Sequence, residues 1–504
     1  MMVRTVTVIL LFLGSACAQR HQGVAPSGAT LVLERANIID VENGRVVPHQ
    51  TIVIVGSRIV AIRSSSNVAL PTSWQVVDAA GKYVIPGLWD MHVHIPGANA
   101  LEGLTGGEFL PVYVAQGVTG VRDMGADCSA SACDRWMRKP GEIARLRNDI
   151  SAGRLVGPRI VSPGAIVDGP SPVHEGSLVI GDADSARRVV RAQRAAGAPF
   201  IKVYDRVPRE TYLALADESR KLGISFVGHV PVSVSALEAS EAGQETLEHL
   251  WLVLDGCSSI GPELLARRRR REAAAIRRDS TFAFAADYLD LTRRTIETYD
   301  PAVCRTLAQR FRQNGTWMVP TNAGTWGSAM AGDSTFAHRS EFARVPKWLQ
   351  NALDPFAVRS SRRAAEEVEQ RRRWHQHKLE IVRLMHGVGV QFLAGTDNPG
   401  AYTFPGFSLH DELALLVEAG LSPLQALQTA TLLPARYLSA TDSLGHIATG
   451  KVADLVLLDA NPLQDIRNTR RINAVVMQGR YFDQAVLEQL LSVPAPIPRQ
   501  PNTR

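Results

Sequence analysis

Hydrophobic positions change rhythm twice along the chain. Over residues 30–84 short apolar runs alternate with turn signals: Leu31-Val32-Leu33, Val46-Val47, Thr51-Ile52-Val53-Ile54-Val55 and Arg58-Ile59-Val60-Ala61-Ile62, punctuated by Asn43-Gly44 and Gly56-Ser57. This spacing predicts strands joined by tight turns. Beyond Val84, apolar strand-like runs alternate with longer helical patterns such as 185–196 and 209–222. The runs are 84–91, 117–123, 158–162, 200–204, 225–229, 245–249, 316–320 and 391–397. Eight such runs separated by helices predict an α/β fold, a (β/α)8 TIM barrel. The connections 250–315 and 321–390 are long and predict helical lid segments over the catalytic face. Strand texture returns at Gly445-His446-Ile447, at 453–459 and at Ala474-Val475-Val476-Met477. Strands before and after a barrel can complete one small composite β-sandwich. The assignment is therefore 29–85 with 436–485 for the sandwich and 86–435 for the barrel.

Composition refines this picture. At 504 residues with 45% hydrophobic content, the chain suits a large core plus an appendage rather than disorder. The net charge of +6 is a weak bias at this length. Its one dense basic run, Arg267 to Arg271 before Glu272, reads as a solvated helix face rather than a nucleic-acid patch. Arg4, the apolar run 6–13 and the small residues Gly14, Ser15, Ala16, Cys17 and Ala18 have signal-peptide order. Residues 1–18 are expected to be removed, giving an exported protein, periplasmic or secreted. Lipidation at Cys17 is the rival, although Gly14 sits where lipoprotein signals usually carry leucine. No other stretch is long and apolar enough to span a membrane. The remaining cysteines are Cys128, Cys133, Cys257 and Cys304, an even number that admits two disulfides in an oxidising compartment. Cys128 with Cys133 and Cys257 with Cys304 is the most local pairing; free buried thiols are the alternative. None has zinc-finger spacing.

Chemistry-bearing residues gather at the ends of the strand-like runs. His92 and His94 close the first in Asp90-Met91-His92-Val93-His94, where alternation puts both imidazoles on one face. Two neutral imidazoles held so suit a divalent metal such as zinc. Lys202 lies inside Phe200-Ile201-Lys202-Val203-Tyr204, where an ammonium is costly unless neutralised or paired. His229, His249 and Asp397 end the fifth, sixth and eighth runs. Any one could be a satisfied buried polar residue. Recurrence at successive strand ends points to a shared metal site.

Together these residues resemble the amidohydrolase superfamily, in the branch with imidazolonepropionase and the metal-dependent Xaa-Pro-type dipeptidases. The resemblance rests on Pro86-Gly87-Leu88-Trp89-Asp90-Met91-His92-Val93-His94 and on Val118-Thr119-Gly120-Val121-Arg122-Asp123-Met124-Gly125. The C-terminal run 444–459 is also typical of that superfamily. The resemblance implies two divalent metals, zinc being the expected one. His92, His94 and Asp397 would hold the more buried ion and His229 and His249 the more exposed one, with a carboxylated Lys202 (N6-carboxylysine) as bridge. It further implies a shared hydroxide as nucleophile and Asp397 as proton shuttle. Tyr204 would hydrogen-bond the oxyanion or a substrate carboxylate, or be a core ring. The implied activity is hydrolysis of a C–N amide bond in a dipeptide, N-acyl amino acid or similar small amide. The alternatives are a one-metal cyclic-amide hydrolase or deaminase, and a catalytically dead binding scaffold. Arg359, Arg362 and Arg363 could meet an anionic substrate if their segment folds over the mouth; a solvated helix is the other reading. No nucleic-acid partner is expected, and a homo-oligomer is left open.

Overall fold

The computed structural model describes residues 30–65, 71–97, 104–125, 127–130, 133–134, 137–330, 333, 336, 339–361 and 363–492. The leader region with Cys17, and Arg362, lie outside these residues, as does the side chain of Arg359. The N-terminal strands are β1 (Thr30–Asp40), β2 (Arg45–Val55), β3 (Arg58–Ser64), β4 (Gln75–Asp78) and β5 (Tyr83–Pro86). Alternation carries β2, where Ile52 and Ile54 are buried while their neighbours are partly open. The run 84–91 does not continue as one strand. It divides at Gly87 into β5 and β6 (Leu88–Val93), which lie in different sheets. Gly87 permits this crossing because a Cβ there would stand 2.1 Å from Thr119 Oγ1.

From β6 onward the ladders are parallel. The strands are β7 (Val118–Asp123), β8 (Arg159–Val161), β9 (Val167–Asp168), β10 (Leu178–Val179), β11 (Phe200–Val203), β12 (Ser225–Gly228), β13 (Thr246–Glu248), β14 (Trp317–Val319) and β15 (Gln391–Phe392). They form two sheets, β6-β7-β8 and β10-β9-β11-β12-β13-β14-β15. One seam is closed by backbone bonds: Met91 N–H donates to Ala394 O at 2.8 Å and Asp397 N–H to His92 O at 2.8 Å. At the other seam β11 pairs with the short inserted strand β9 and not with β8. The expected eight strands are therefore present in order, but their ladder is not continuous around the circle. Between strands run helices with recognisable stops. Pro301–Asn314, for example, starts at Asp300, whose carboxylate accepts from Ala302 and Val303 N–H, and ends at Gly315 with φ +69°. That turn feeds β14 directly.

The chain then returns to the first sheet with β16 (Leu455–Leu458), β17 (Ile472–Met477) and β18 (Arg480–Phe482). β16 pairs antiparallel with β5, so strands from both ends share one eight-stranded sheet. All eight are joined by hydrogen bonds in that single sheet rather than in two separate ones. It has its own core of Leu33, Ile52, Ile54, Leu455, Leu457 and Val476. Burying each such side chain contributes about 1.5–3 kcal/mol. A larger cluster fills the parallel-strand region, including Val121, Val167, Ile201, Phe226 and Met318.

The two long connections are helical, as expected. The first holds Trp251–Gly256, Gly261–Ile276, Phe284–Glu297 and Pro301–Asn314; the second holds Asn322–Met330, Ser340–Ala343, Lys347–Ser361 and Ala365–Val388. The basic run departs from the solvated face expected of it. Arg267 pairs with Asp287 at 2.7 Å, Arg271 with the same carboxylate at 3.2 Å, and Arg268 with Asp255. Helical spacing delivers only Arg269 and Arg270 to solvent. No described helix is long and apolar enough to cross a membrane.

Candidate active site

The site forms where the parallel strands end. His92 comes from β6, and its ring stands 5.3 Å from that of His94 and 4.6 Å from that of His249, between centroids. Asp397 Oδ1 lies 3.0 Å from His94 Nε2 and 3.5 Å from His92 Nε2. His92, His94 and Asp397 are the one group among the described residues whose donor atoms gather closely enough to hold a metal ion, all within 4.8 Å. His92 Nε2 is buried and makes no hydrogen bond. A buried ring nitrogen left open beside an imidazole and a carboxylate fits a divalent cation of intermediate softness. The other sequence-predicted residues surround this group. His249 Nδ1 is 3.8 Å from Asp397 Oδ2, and the His229 ring meets the His249 ring edge-on at 4.9 Å. Lys202, fully buried on β11, donates to Met124 O at 2.9 Å and forms no ion pair with a carboxylate among the described residues.

Local backbone strain helps bring these groups together. His249, Leu250 and Asp397 adopt φ of 62°, 63° and 60°, in the left-handed region that L residues seldom occupy. At His249 this turn carries the ring out of the strand's alternation. Consecutive residues Glu248 and His249 then both reach His92.

Three of the four histidines are also held from behind. His92 Nδ1 bonds Glu248 Oε2 at 2.7 Å, and Glu248 pairs with buried Arg122 at 2.8 Å. His229 Nδ1 bonds Asp205 at 2.7 Å, and His249 Nδ1 bonds Thr321 Oγ1 at 2.9 Å. Such partners fix ring orientation and leave the opposite nitrogen for a ligand. Burial pushes the His92 imidazole down to about 4 and His249 well below its ordinary value, so both rings are neutral at neutral pH. Burial would raise Asp397, but His249 and the hydrogen bond from His94 outweigh it and hold the carboxyl well below the usual range. Burial lowers Lys202 to about 8. Glu248 is held at about 2 because Arg122 and His92 overcome the opposing effect of burial.

Tyr204 lines the cavity and also packs against Cys128, Met137 and Ile166. Its ring stacks on His229 at 4.2 Å, and its hydroxyl shares a 3.1 Å hydrogen bond with His174 Nε2. His174 in turn contacts Asp134 at 3.1 Å. Burial raises the phenol well above its ordinary value, so it remains a donor. The cavity above has a volume of about 800 Å³ and is lined by residues of the strand ends and both long connections, among them Trp251, Tyr288, Arg363 and Trp374. Sequence reasoning passed over Glu248, Arg122, Asp205 and His174. Glu248 and Asp205 directly adjoin predicted site residues, and charged residues inside apolar strands were the available signal. His174 carried none. The cysteines fall together as paired: Cys128 with Cys133, and Cys257 with Cys304, whose Cα atoms are 4.1 Å apart.

Parallel strands with a His-His-Asp group at their C-terminal ends define an α/β protein with a potential metal site. Residues 83–481 match the profile of the Amidohydrolase family, and the chain belongs to that family. It is similar to an adenine deaminase of Mesorhizobium japonicum (strain LMG 29417 / CECT 9101 / MAFF 303099), 25% identical over 215 residues, 40% of this chain and 34% of that one. Adenine deaminase 3 of Rhizobium meliloti (strain 1021) is 33% identical over 91 residues, 18% of this chain and 15% of the relative. These matches thus span only about a third of the relatives' own length at most. In fold, the chain is similar to a bottromycin amidohydrolase, with TM-score 0.68, 22% identity and 92% and 88% of the two chains covered. An Xaa-Pro dipeptidase with bound methionine gives TM-score 0.60 and 19% identity, covering 90% of this chain and 100% of that one.

Proposed function

We propose that this chain is a metal-dependent amidohydrolase that cleaves the C–N bond of a small amide of dipeptide or N-acyl amino acid size. The observation that carries the reading is the His92–His94–Asp397 group with its open buried Nε2, set on the floor of a cavity roofed by aromatic side chains. On this reading the eight strands act as a (β/α)8 barrel whose ladder is interrupted by β9. His92, His94 and Asp397 would hold one divalent ion and His229 and His249 a second, zinc being the ion that this nitrogen–oxygen donor set favours. Such ions, when bound, lower the pKa of water and polarise a carbonyl.

The chain's own residues supply the rest. Asp397 contacts three imidazoles and faces the cavity, so its carboxylate can take a proton and return it to the leaving nitrogen. Tyr204, kept protonated by burial and positioned beside His174, turns its one hydroxyl proton to oxygen charge developing on the substrate. Lys202 is a buried amine without a carboxylate partner; carboxylation would turn it into an anionic ligand between the ions and remove an unpaired cation. Trp251 and Trp374 give the cavity wall an apolar face for the substrate.

A second reading, hydrolytic deamination of an amino-heterocycle, has support from the adenine deaminase relatives. Assay of a small-amide library and of aminopurines with the zinc-loaded protein separates the two: amide cleavage supports the first, and ammonia release from aminopurines alone replaces it. The chain is further read as exported. The paired cysteines suit an oxidising compartment, and mass analysis of the mature N-terminus in the native host tests it; an intact Met1 in the cytoplasm counts against it.

A further inference from the structure

Two arginines of the second long connection face the cavity and, among the described residues, a single carboxylate lies between them. Arg363 and Arg371 both line it. Glu367 Oε1 lies 3.2 Å from Arg363 Nε and 2.8 Å from Arg371 Nη2. Ser328 supplies the other contacts: its carbonyl accepts from Arg363 Nη1 at 3.0 Å, and its hydroxyl lies 3.3 Å from both guanidinium groups. Two positive groups therefore share one negative group. The remaining arginines of the cavity wall are matched differently. Arg268 has Asp255 as its own carboxylate, and Arg271 meets Asp287 within a cluster that also contains Asp290.

The surroundings make the surplus charge felt. Arg363 and Arg371 are only 21% and 24% exposed, the Arg371 guanidinium lies 5.0 Å over the Tyr288 ring, and Trp374 stands on the same helix. Aromatic walls hydrate a cation poorly, so an anion entering here replaces water that is already scarce. Burial first, and then the Arg371 charge, lower Arg363 from its ordinary value, the direction expected of crowded guanidinium groups. Arg363 was one of the arginines expected to meet a substrate; Arg371, which completes the fork, was not.

We infer that Arg363 and Arg371, braced by Glu367 and Ser328, form the anion subsite of the cavity, and that the substrate is an amide bearing a carboxylate. The inference rests on the amidohydrolase reading for the word amide, but not for the subsite. The competing role is a latch between the helices Asn322–Met330 and Ala365–Val388, which Ser328 and Glu367 would also satisfy.

Binding decides between them without turnover. The zinc-loaded full chain is titrated with N-acetylphenylalanine and with its carboxamide, read by tryptophan fluorescence, since Trp251 and Trp374 line the cavity. The acid should bind at least ~10-fold tighter than the carboxamide, and less so at high salt. Arg363→Gln and Arg371→Gln should each weaken the acid by roughly 10- to 100-fold and leave the carboxamide within about twofold. Arg371→Lys keeps the charge and the clasp but loses the fork, so an intermediate acid preference is expected if the Gln variants do not fold. Equal affinities for acid and carboxamide in the wild type, absence of binding by both included, overturn the subsite. So does acid binding that is unchanged in folded variants, which would place the carboxylate elsewhere. An acid preference without hydrolysis of any amide would leave the subsite standing and remove the hydrolase reading.

Discussion

The floor and the roof of the cavity are built by different rules. The floor uses strand ends: β6 delivers His92 and His94, β11 Lys202, β12 His229 and β13 Glu248 and His249, and the backbone beneath is locked by parallel ladders. The roof uses helices held by paired side chains, such as Arg268 with Asp255, Arg271 with Asp287, and Cys257 with Cys304. A strand ladder fixes a donor atom within a fraction of an ångström, as metal ligation demands. Paired helices tolerate replacement and can vary what enters. Chemistry is thereby separated from selection.

The floor should break most sharply. Asp397→Asn keeps the shape but loses the proton acceptor, so kcat should fall by roughly 10²-fold or more while circular dichroism is unchanged. A near-normal rate would remove the shuttle. Lys202→Ala should lose metal and activity, with partial rescue by short carboxylic acids; a variant that retains its metal and full rate would end the bridging role. Glu248→Gln leaves Arg122 buried without its carboxylate, and a single amide oxygen to serve both Arg122 and His92. Metal affinity should drop about 10- to 100-fold, and the protein should lose about 3 kcal/mol of stability, by chelator competition and chemical denaturation.

These sensitivities also show what could be read from the chain beforehand. Strand alternation placed His92 and His94 on one mouth, and the recurrence of His229, His249 and Asp397 at later strand ends marked the site. Alternation could not place His249 and Glu248 on the same ring, because that depends on a left-handed residue just past β13. Nor could it divide the run 84–91 between two sheets, which needs the close approach of Gly87 to Thr119. In the roof, the arginine run resembles a solvated face until the acids of a neighbouring helix are known. That pairing is a tertiary fact, and residue spacing carries no trace of it.

The roof should yield more gently. Cys257→Ser opens a link between residues 47 apart in sequence, and about 2–4 kcal/mol of stability should be lost, with the metal content kept. A variant that melts like the wild type in the oxidised state would show that these thiols do not bond. The smallest effect expected near neutral pH concerns His375 of the roof and His410 beside the composite sheet. Burial lowers both to about 3, with Lys378 adding to the first and Arg470 to the second. A folded pKa below the unfolded value of about 6.5 favours the neutral ring, so this stability is whole above that pH. It is lost as pH falls towards 3, by about 1.4 kcal/mol per unit for each ring. His410→Asn should flatten that slope by one proton in denaturation curves between those limits.

The account stands on the floor being a two-ion centre. Metal content per chain, measured on protein purified without chelator and supplied with zinc, tests it most directly. About two equivalents, reduced in His92→Ala and in His249→Ala, is the predicted result. A wild-type protein that binds one equivalent or none would contradict it.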